Sequence, residues 1–204
     1  MTQILNQILA SLNYNPQNPL LFNSSFFLFF FIVVLLLYPL LANHYRSRTW
    51  YLLLVSLYFY FKTSGLFVIL LLITAAINFG FGHAIYYSKG RSAKRWWLFC
   101  SLIWNLGSLG YFKYTNFIID TINQISGGSL PAMDIFLPIG ISFFTFQTWS
   151  YTLDIYFGNL KPIHSFKDFA FFVSFFPQLV AGPIERSKNL LVQISRRHYF
   201  DYER

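Results

Sequence analysis

Long stretches without a charged side chain constrain this sequence more than any other feature. Residues 20–42 form the first long apolar run, 23 residues within the stretch 1–45 that contains no Asp, Glu, Lys or Arg. A helix of that length crosses roughly 30 Å of hydrocarbon. Because no basic stretch precedes it, the run does not fit a cleaved signal peptide. We expect a membrane-spanning helix that bends near Pro39.

The composition of the whole chain agrees with a membrane protein. Of its 204 residues, 22% are aromatic and only 11% are charged, whereas a soluble domain has about 25% charged residues. A water-soluble fold of this composition would expose large apolar patches. This excludes an ordinary soluble enzyme, a disordered tail and a nucleic-acid-binding arm. The single cysteine, Cys100, excludes a disulfide framework and a cysteine-based zinc site.

Further apolar runs follow the first, separated by short polar or basic segments. They predict an all-α fold: a polytopic helical membrane protein with about five transmembrane helices plus a re-entrant, broken helix. Residues 1–19 are expected to form an N-terminal interfacial segment, and residues 20–204 the membrane domain. The five spans are predicted at 20–42, 50–61, 66–82, 96–112 and 135–157, and the re-entrant helix at 169–184.

The positions of the basic residues set the orientation. If the N-terminus is extracytoplasmic and the last apolar run re-enters, 13 of the 15 Lys and Arg residues lie in the cytoplasm. A sixth span would instead place five of them outside, which makes it the weaker alternative. The basic segment 89–95 is interpreted as a topogenic loop beside anionic lipid. We expect a multi-pass protein of the inner membrane that binds no nucleic acid.

Two local patterns predict helix contacts. Ser165 and Asp168 have the spacing of a capping box at the start of the last apolar run. Gly80 and Gly82 are interpreted as a site of close packing between helices.

Polar residues at membrane depth are candidates for function because burying them there is costly. Gln147, Tyr151 and Asp154 have the spacing i, i+4, i+7 and share one face of the fifth predicted span. That face would line a cavity filled with water or substrate. Alternatively, Asp154 reaches the interface from the inner end of the helix and Gln147 bonds a neighbouring helix.

The segment 175–186 interrupts an apolar helix with two prolines and a glycine. Backbone groups freed at membrane depth are tolerated only if they are buried in protein or line a cavity. We therefore take Gln178, Gly182, Pro183 and Glu185 as candidates for the wall of a substrate funnel, together with Gln147 and Asp154. The alternative is a plain helix end at the inner interface.

No catalytic residue or metal site is expected within the chain. The four histidines, His44, His83, His164 and His198, all fall in predicted loops or the tail. None has the spacing of metal ligands on one helix face, and no nucleophile–base arrangement or phosphate-binding motif is present.

Several ordered motifs resemble those of the membrane-bound O-acyltransferase family, in its bacterial branch of alginate O-acetylation and D-alanyl transfer proteins. The most specific is Phe-Phe-Pro-Gln-Leu-Val-Ala-Gly-Pro-Ile at 175–184, followed by Leu-Pro-Ile-Gly-Ile-Ser-Phe-Phe-Thr-Phe-Gln at 137–147. Leu-Phe-Asn-Ser at 21–24 and Asn-Leu-Gly with Gly-Tyr-Phe-Lys-Tyr within 105–114 also resemble family motifs. The resemblance extends from about residue 20 to the last residue.

The resemblance implies an enzyme that transfers an acyl group, most simply acetyl, to hydroxyls of an extracytoplasmic polysaccharide. The donor would be a substrate thioester on coenzyme A or an acyl carrier, with no bound cofactor. The family's catalytic histidine lies in its second half, and no histidine here matches that motif. We therefore expect residues 20–204 to be the N-terminal part of the enzyme and to be inactive alone. Membrane lipid and a C-terminal half or an envelope acetylation protein are the expected partners. A non-enzymatic membrane scaffold or transporter subunit is the alternative.

Overall fold

A computed structural model describes residues 13–16, 19–42 and 44–182. This part of the chain is helical and has no strand, which confirms the predicted all-α class. A five-residue π-helix, Gly110–Tyr114, joins two of the helices without a loop. The α-helices are α1 (Ser25–Ala42), α2 (Tyr45–Ser64), α3 (Phe67–Tyr87), α4 (Arg91–Leu109), α5 (Thr115–Ser126), α6 (Ile141–Tyr156), α7 (Phe166–Ser174) and α8 (Phe176–Ala181).

Helix α3 lies at the centre of the bundle. It packs against α4, α6 and α7, while α2 packs against α1 and α7. A side-chain methyl at Gly82 would lie 2.6 Å from Cε1 of Tyr151, so the absence of a Cβ lets α3 approach α6. The predicted close packing is confirmed at Gly82. It is wrong for Gly80, where nothing lies within 4 Å of the same position.

By length and composition, one helix of the described chain qualifies as a membrane span, α3 (Phe67–Tyr87). A shorter apolar stretch, Ser25–Leu41, lies within α1. The predicted count of five spans is therefore not established. Many large apolar side chains on the helix surfaces are exposed, as in Leu36 at 69% and Leu40 at 76%.

Helix α1 begins five residues later than the apolar run suggests. The Ser24 hydroxyl accepts a hydrogen bond from the Phe27 N–H at 3.2 Å, which is the bond of an N-terminal cap. Leu20 lies before the helix, where its N–H donates to the Lys62 carbonyl and its own carbonyl accepts from the Thr63 hydroxyl. The apolar run begins at the buried Leu20, but the capping Ser24 determines where the helix starts.

Helices α2, α3 and α4 extend beyond their predicted bounds into segments expected to be loops. Arg46 and Arg48 lie in α2, and the predicted loop at 83–95 shrinks to the three residues 88–90. His83 is consequently helical, contrary to its predicted place in a loop. Basic residues indicate where a helix leaves an apolar environment, and since Lys, Arg and Ala are strong helix formers, the helix continues through them.

Between the fourth and fifth predicted spans lies α5, followed by a non-helical stretch at 127–140. Helix α6 begins at Ile141, six residues after the predicted start at 135. Gly140 precedes it with φ +78°, a left-handed conformation that glycine adopts without strain. A Cβ there would also lie 2.8 Å from the Leu179 carbonyl oxygen.

Helix α7 begins after Ser165, as predicted, but the bonds of a capping box are absent. The Ser165 side chain makes no capping hydrogen bond. Asp168 instead pairs with Lys167, with Nζ and Oδ1 3.2 Å apart.

Candidate functional site

The last apolar run is broken at Phe175, between α7 and α8. Phe175 has φ −53° and ψ +107°, outside the helical region. Pro177 follows two residues later, near the start of α8. Proline has no N–H and its ring clashes with the carbonyl four residues before it, here that of Val173. The predicted break is confirmed. It lies at Phe175, before Gly182, because Pro177 prevents an unbroken helix there.

The break separates two backbone groups that an unbroken helix would join. In such a helix the Phe176 N–H would donate to the Phe172 carbonyl. Here Nε2 of Gln147, on α6, donates to the Phe172 carbonyl at 3.1 Å. The Phe176 N–H donates to the hydroxyl of Ser56, on α2, at 3.3 Å. Side chains from two other helices thus replace the lost backbone bond.

These contacts are inaccessible to solvent. Gln147, Ser56 and Phe172 are fully buried, and Phe176 is 3% exposed. Leaving a buried donor or acceptor unpaired costs about 1–3 kcal/mol. The hydrogen bonds that bridge the break are therefore sheltered by protein, an arrangement that irregular backbone would need at membrane depth.

Several polar atoms next to the break have no hydrogen-bond partner within the described part of the chain. They are Oε1 of Gln147, the Ser174 hydroxyl and Oε1 of Gln178. Buried polar atoms are nearly always paired in native proteins. These atoms retain the capacity to bind a further hydroxyl or amide group.

An open cleft of about 320 Å³ adjoins the break at the N-terminal end of α6. Leu179 of α8 forms one side of it, and Lys113 contributes a positive charge. The remaining lining is the segment Leu137, Pro138, Ile139, Gly140, Ile141, Ser142 and Phe143. The cleft and the break therefore share α8 as a common wall.

The structure brings some of the candidate residues together and separates others. Gln147 and Gln178 both lie near the break, and the Gly182 N–H donates to the Gln178 carbonyl at 3.0 Å. Asp154 is half-buried two turns further along α6, close to its end at Tyr156. Pro183 and Glu185 lie outside the described residues.

Tyr151, on the same face of α6 as Gln147, has a packing role in the fold. Its ring is fully buried, with its centroid 4.5 Å from that of Phe169. Its hydroxyl accepts the Ile163 N–H at 3.1 Å. This residue fixes the loop before α7 relative to α6.

A buried amide pair between α3 and α4 was not identified from the sequence. Nδ2 of Asn105 donates to Oδ1 of Asn78 at 2.8 Å, and Nδ2 of Asn78 donates back to Oδ1 of Asn105 at 3.2 Å. The Thr148 hydroxyl, on α6, also donates to Oδ1 of Asn105. Ser101 and Thr152 extend the network, with their hydroxyl oxygens 3.1 Å apart. In the sequence, the polar residue Asn78 within an apolar run was the feature that could have indicated this pair.

The amide network has no group that ionises near neutral pH, so its chemistry is recognition rather than proton transfer. It connects α3, α4 and α6 in the core. No cluster of three or more His, Cys, Asp or Glu residues suited to a metal ion occurs in the residues that the structure describes. Nδ1 of His83 lies 2.9 Å from the Phe79 carbonyl of its own helix, which orients that ring locally.

The sheltered break and the adjoining cleft are found in a chain that is similar to bacterial O-acetyltransferases of the membrane-bound O-acyltransferase type, so the resemblance seen in the motifs is confirmed. The chain is 46% identical over 113 residues to the "Probable alginate O-acetylase AlgI" of Pseudomonas aeruginosa, a match that covers 53% of this chain and 22% of that protein. The protein of the same name from Azotobacter vinelandii is 43% identical over 113 residues, with the same coverage.

A longer match links the chain to a peptidoglycan enzyme. The "Peptidoglycan O-acetyltransferase" of Helicobacter pylori is 32% identical over 173 residues, or 72% of this chain and 33% of that protein. The chain thus spans between about a fifth and a third of the curated relatives it matches. No protein-family model matches the chain. No solved structure matches it either.

Proposed function

We propose that the chain is the N-terminal part of a membrane-bound O-acetyltransferase that acts on hydroxyls of a cell-envelope polysaccharide. The observation that carries this proposal is the broken helix α7–α8, sheltered by Gln147 and Ser56 and adjoining a cleft. The names of the relatives support acetyl transfer to alginate or peptidoglycan. They favour an enzyme over a scaffold or transporter subunit.

The reaction is an acyl transfer from a thioester. The acceptor hydroxyl attacks the thioester carbonyl carbon, a C–O bond forms, the C–S bond breaks and the thiolate leaves. A general base must take the hydroxyl proton. The base would come from a histidine outside this chain, and the donor would be acetyl on coenzyme A or on a carrier.

The residues at the break would form part of the substrate passage. Gln147 and Ser56 hold the backbone of α7 and α8 in place, and a fixed geometry of the passage favours productive alignment of donor and acceptor. Oε1 of Gln178 and the Ser174 hydroxyl, which lack partners in the described chain, would bind hydroxyl groups of the acceptor or a further segment of the enzyme. Gly182, Pro183, Glu185 and Asp154 remain funnel candidates.

Placement in the inner membrane follows from the same proposal. The apolar runs, the exposed apolar side chains and the relatives support a multi-pass membrane protein. The positions of the basic residues favour an extracytoplasmic N-terminus. With that orientation Lys113 and the cleft at the start of α6 face the side where the polysaccharide lies.

The test compares two membrane preparations. One contains this chain alone, and the other contains it with the reading frame that follows it in its genome. Both receive acetyl-coenzyme A labelled in the acetyl group and either de-O-acetylated alginate or de-O-acetylated peptidoglycan. We expect label in a polysaccharide only with the second preparation. Transfer by the chain alone would overturn the proposal that it is only a part of the enzyme. The absence of transfer in both preparations would overturn the proposed O-acetyltransferase activity.

A further inference from the structure

Helices α4 and α5 and the π-helix between them form one helical run, Arg91 to Ser126, with two different sides. One side of α4 is buried and bears Ser101, Asn105 and Leu109. The opposite side exposes large apolar residues at helical spacing. They are Trp96, Phe99, Ile103 and Leu106, each at least 44% exposed.

The π-helix sets the direction in which α5 presents its side chains. With α-helical spacing throughout, the stripe of α4 would continue through Gly110, Lys113, Phe117, Asp120 and Gln124, of which Phe117 alone has a large apolar side chain. A π-helix accommodates one extra residue per turn. This shifts the stripe by one position, or about 100°. The shifted positions are Tyr111, Tyr114, Ile118, Ile122 and Ile125, all of them exposed.

The other side of α5 is occupied by the chain that returns after it. Asn116 exchanges two hydrogen bonds with the backbone of Met133, and Asn123 exchanges two with that of Leu130. Seven helical residues and three extended residues both span about 10 Å, so the two asparagines match two backbone positions of the returning segment. The isoleucine face points away from this contact.

We propose that the isoleucine face of α5, formed by Ile118, Ile122 and Ile125, lies against the lipid headgroup layer of the membrane. It continues the apolar stripe of α4 without a break, and that stripe faces lipid if the membrane placement in the proposed function is correct. From Trp96 to Ile125 the stripe is about 44 Å long, close to the thickness of a bilayer with its headgroup regions, about 40–45 Å.

The composition of α5 also favours a lipid interface. Helix α5 begins directly after Tyr114. It contains no Lys or Arg and one acidic residue, Asp120, so apolar contact rather than attraction to anionic lipid would hold it there.

The experiment measures the environment of single cysteines in the chain reconstituted into phosphatidylcholine vesicles. Cys100→Ser removes the native thiol, and Ile122→Cys, Gln124→Cys and Ile103→Cys are each labelled with an environment-sensitive fluorophore. Gln124 is exposed on another side of α5, away from the three isoleucines, and is the matched control. We expect lipids carrying a quencher near the headgroup to quench the label at 122 at least threefold more than the label at 124.

The label at 103 distinguishes failure of this proposal from failure of the membrane placement in the proposed function. If it is quenched by lipid and the label at 122 is as accessible to aqueous iodide as the one at 124, this proposal is wrong and the membrane placement stands. If the label at 103 is also aqueous, both are wrong. A label at 122 shielded from lipid and from iodide would show that protein covers the face, which also overturns the proposal.

Deletion of Gly110 provides a second measurement. It removes the extra residue of the π-helix and should turn α5 by about 100° relative to α4, so that quenching at 122 falls and quenching at 124 rises. Unchanged quenching in a folded deletion variant would contradict the role given to the π-helix. If the variant does not fold, the labels in the undeleted chain alone test whether the isoleucine face contacts lipid.

Discussion

Nε2 of Gln147 donates to the Phe172 carbonyl oxygen at 3.1 Å, the group that Phe176 would bond in an unbroken helix. A side chain on α6 thereby provides the hydrogen-bond donor for a backbone carbonyl of α7. This makes Gln147 part of the support of the break rather than an isolated polar residue.

Replacing Gln147 with leucine should destabilise the chain by about 1–3 kcal/mol, because the Phe172 carbonyl would be buried without a donor. The midpoint of thermal unfolding in detergent measures this, at roughly 2–4 °C per kcal/mol. Gln124→Leu, at an exposed site on α5, is the control and should change the midpoint little. Equal effects at both sites would contradict the role of Gln147.

Replacing Ser56 with alanine should cost about 1 kcal/mol, since the Phe176 N–H would lose its acceptor. Ser47, on the same helix but exposed, offers a matched control in Ser47→Ala. Limited proteolysis of the chain in detergent should cut near residue 175 faster in Ser56→Ala than in the control. An unchanged cleavage rate would argue against this contact holding the break.

The pair Asn78 and Asn105 should behave as a unit. Each single change to leucine removes both hydrogen bonds that join the two amides and should cost about 1–3 kcal/mol. The double variant should be less destabilised than the sum of the single variants, as expected for directly bonded side chains. Additive losses in the unfolding midpoints would show that the two amides do not interact.

Gly82→Ala should destabilise the bundle because the added methyl would lie 2.6 Å from the Tyr151 ring. Gly80→Ala, two residues away on the same helix, meets nothing within 4 Å and should stabilise α3 by up to about 1 kcal/mol. Opposite shifts in the unfolding midpoint are therefore expected. Shifts in the same direction would contradict the packing of α3 on α6.

The sequence allowed the helical class and the existence of a break to be predicted, because both depend on local chemistry. Apolar runs form helices that bury their backbone, and Pro177 removes a hydrogen bond wherever the rest of the chain lies. The helix ends were predicted less well, since Ser24 and Gly140 rather than changes in apolarity determine where α1 and α6 begin.

The supports of the break could not be predicted in the same way. Ser56 and Phe176 are 120 residues apart and Asn78 and Asn105 are 27 apart, so only the packed bundle brings each pair together. Periodicity identified the face shared by Gln147 and Asp154, but it could not show that Gln147 reaches α7 while Asp154 lies at the end of α6.

In the proposed function, the sheltered break borders an aqueous passage for the polysaccharide. The most direct test of this proposal is a thiol-accessibility measurement on Ser142→Cys, in the cleft beside α8, in vesicles and in the Cys100→Ser background. We expect rapid reaction with a membrane-impermeant maleimide added on the extracytoplasmic side, and slow reaction at Leu36→Cys on the exposed face of α1. A thiol at position 142 that resists the reagent and is quenched by lipid-borne probes as strongly as the one at 36 would contradict it.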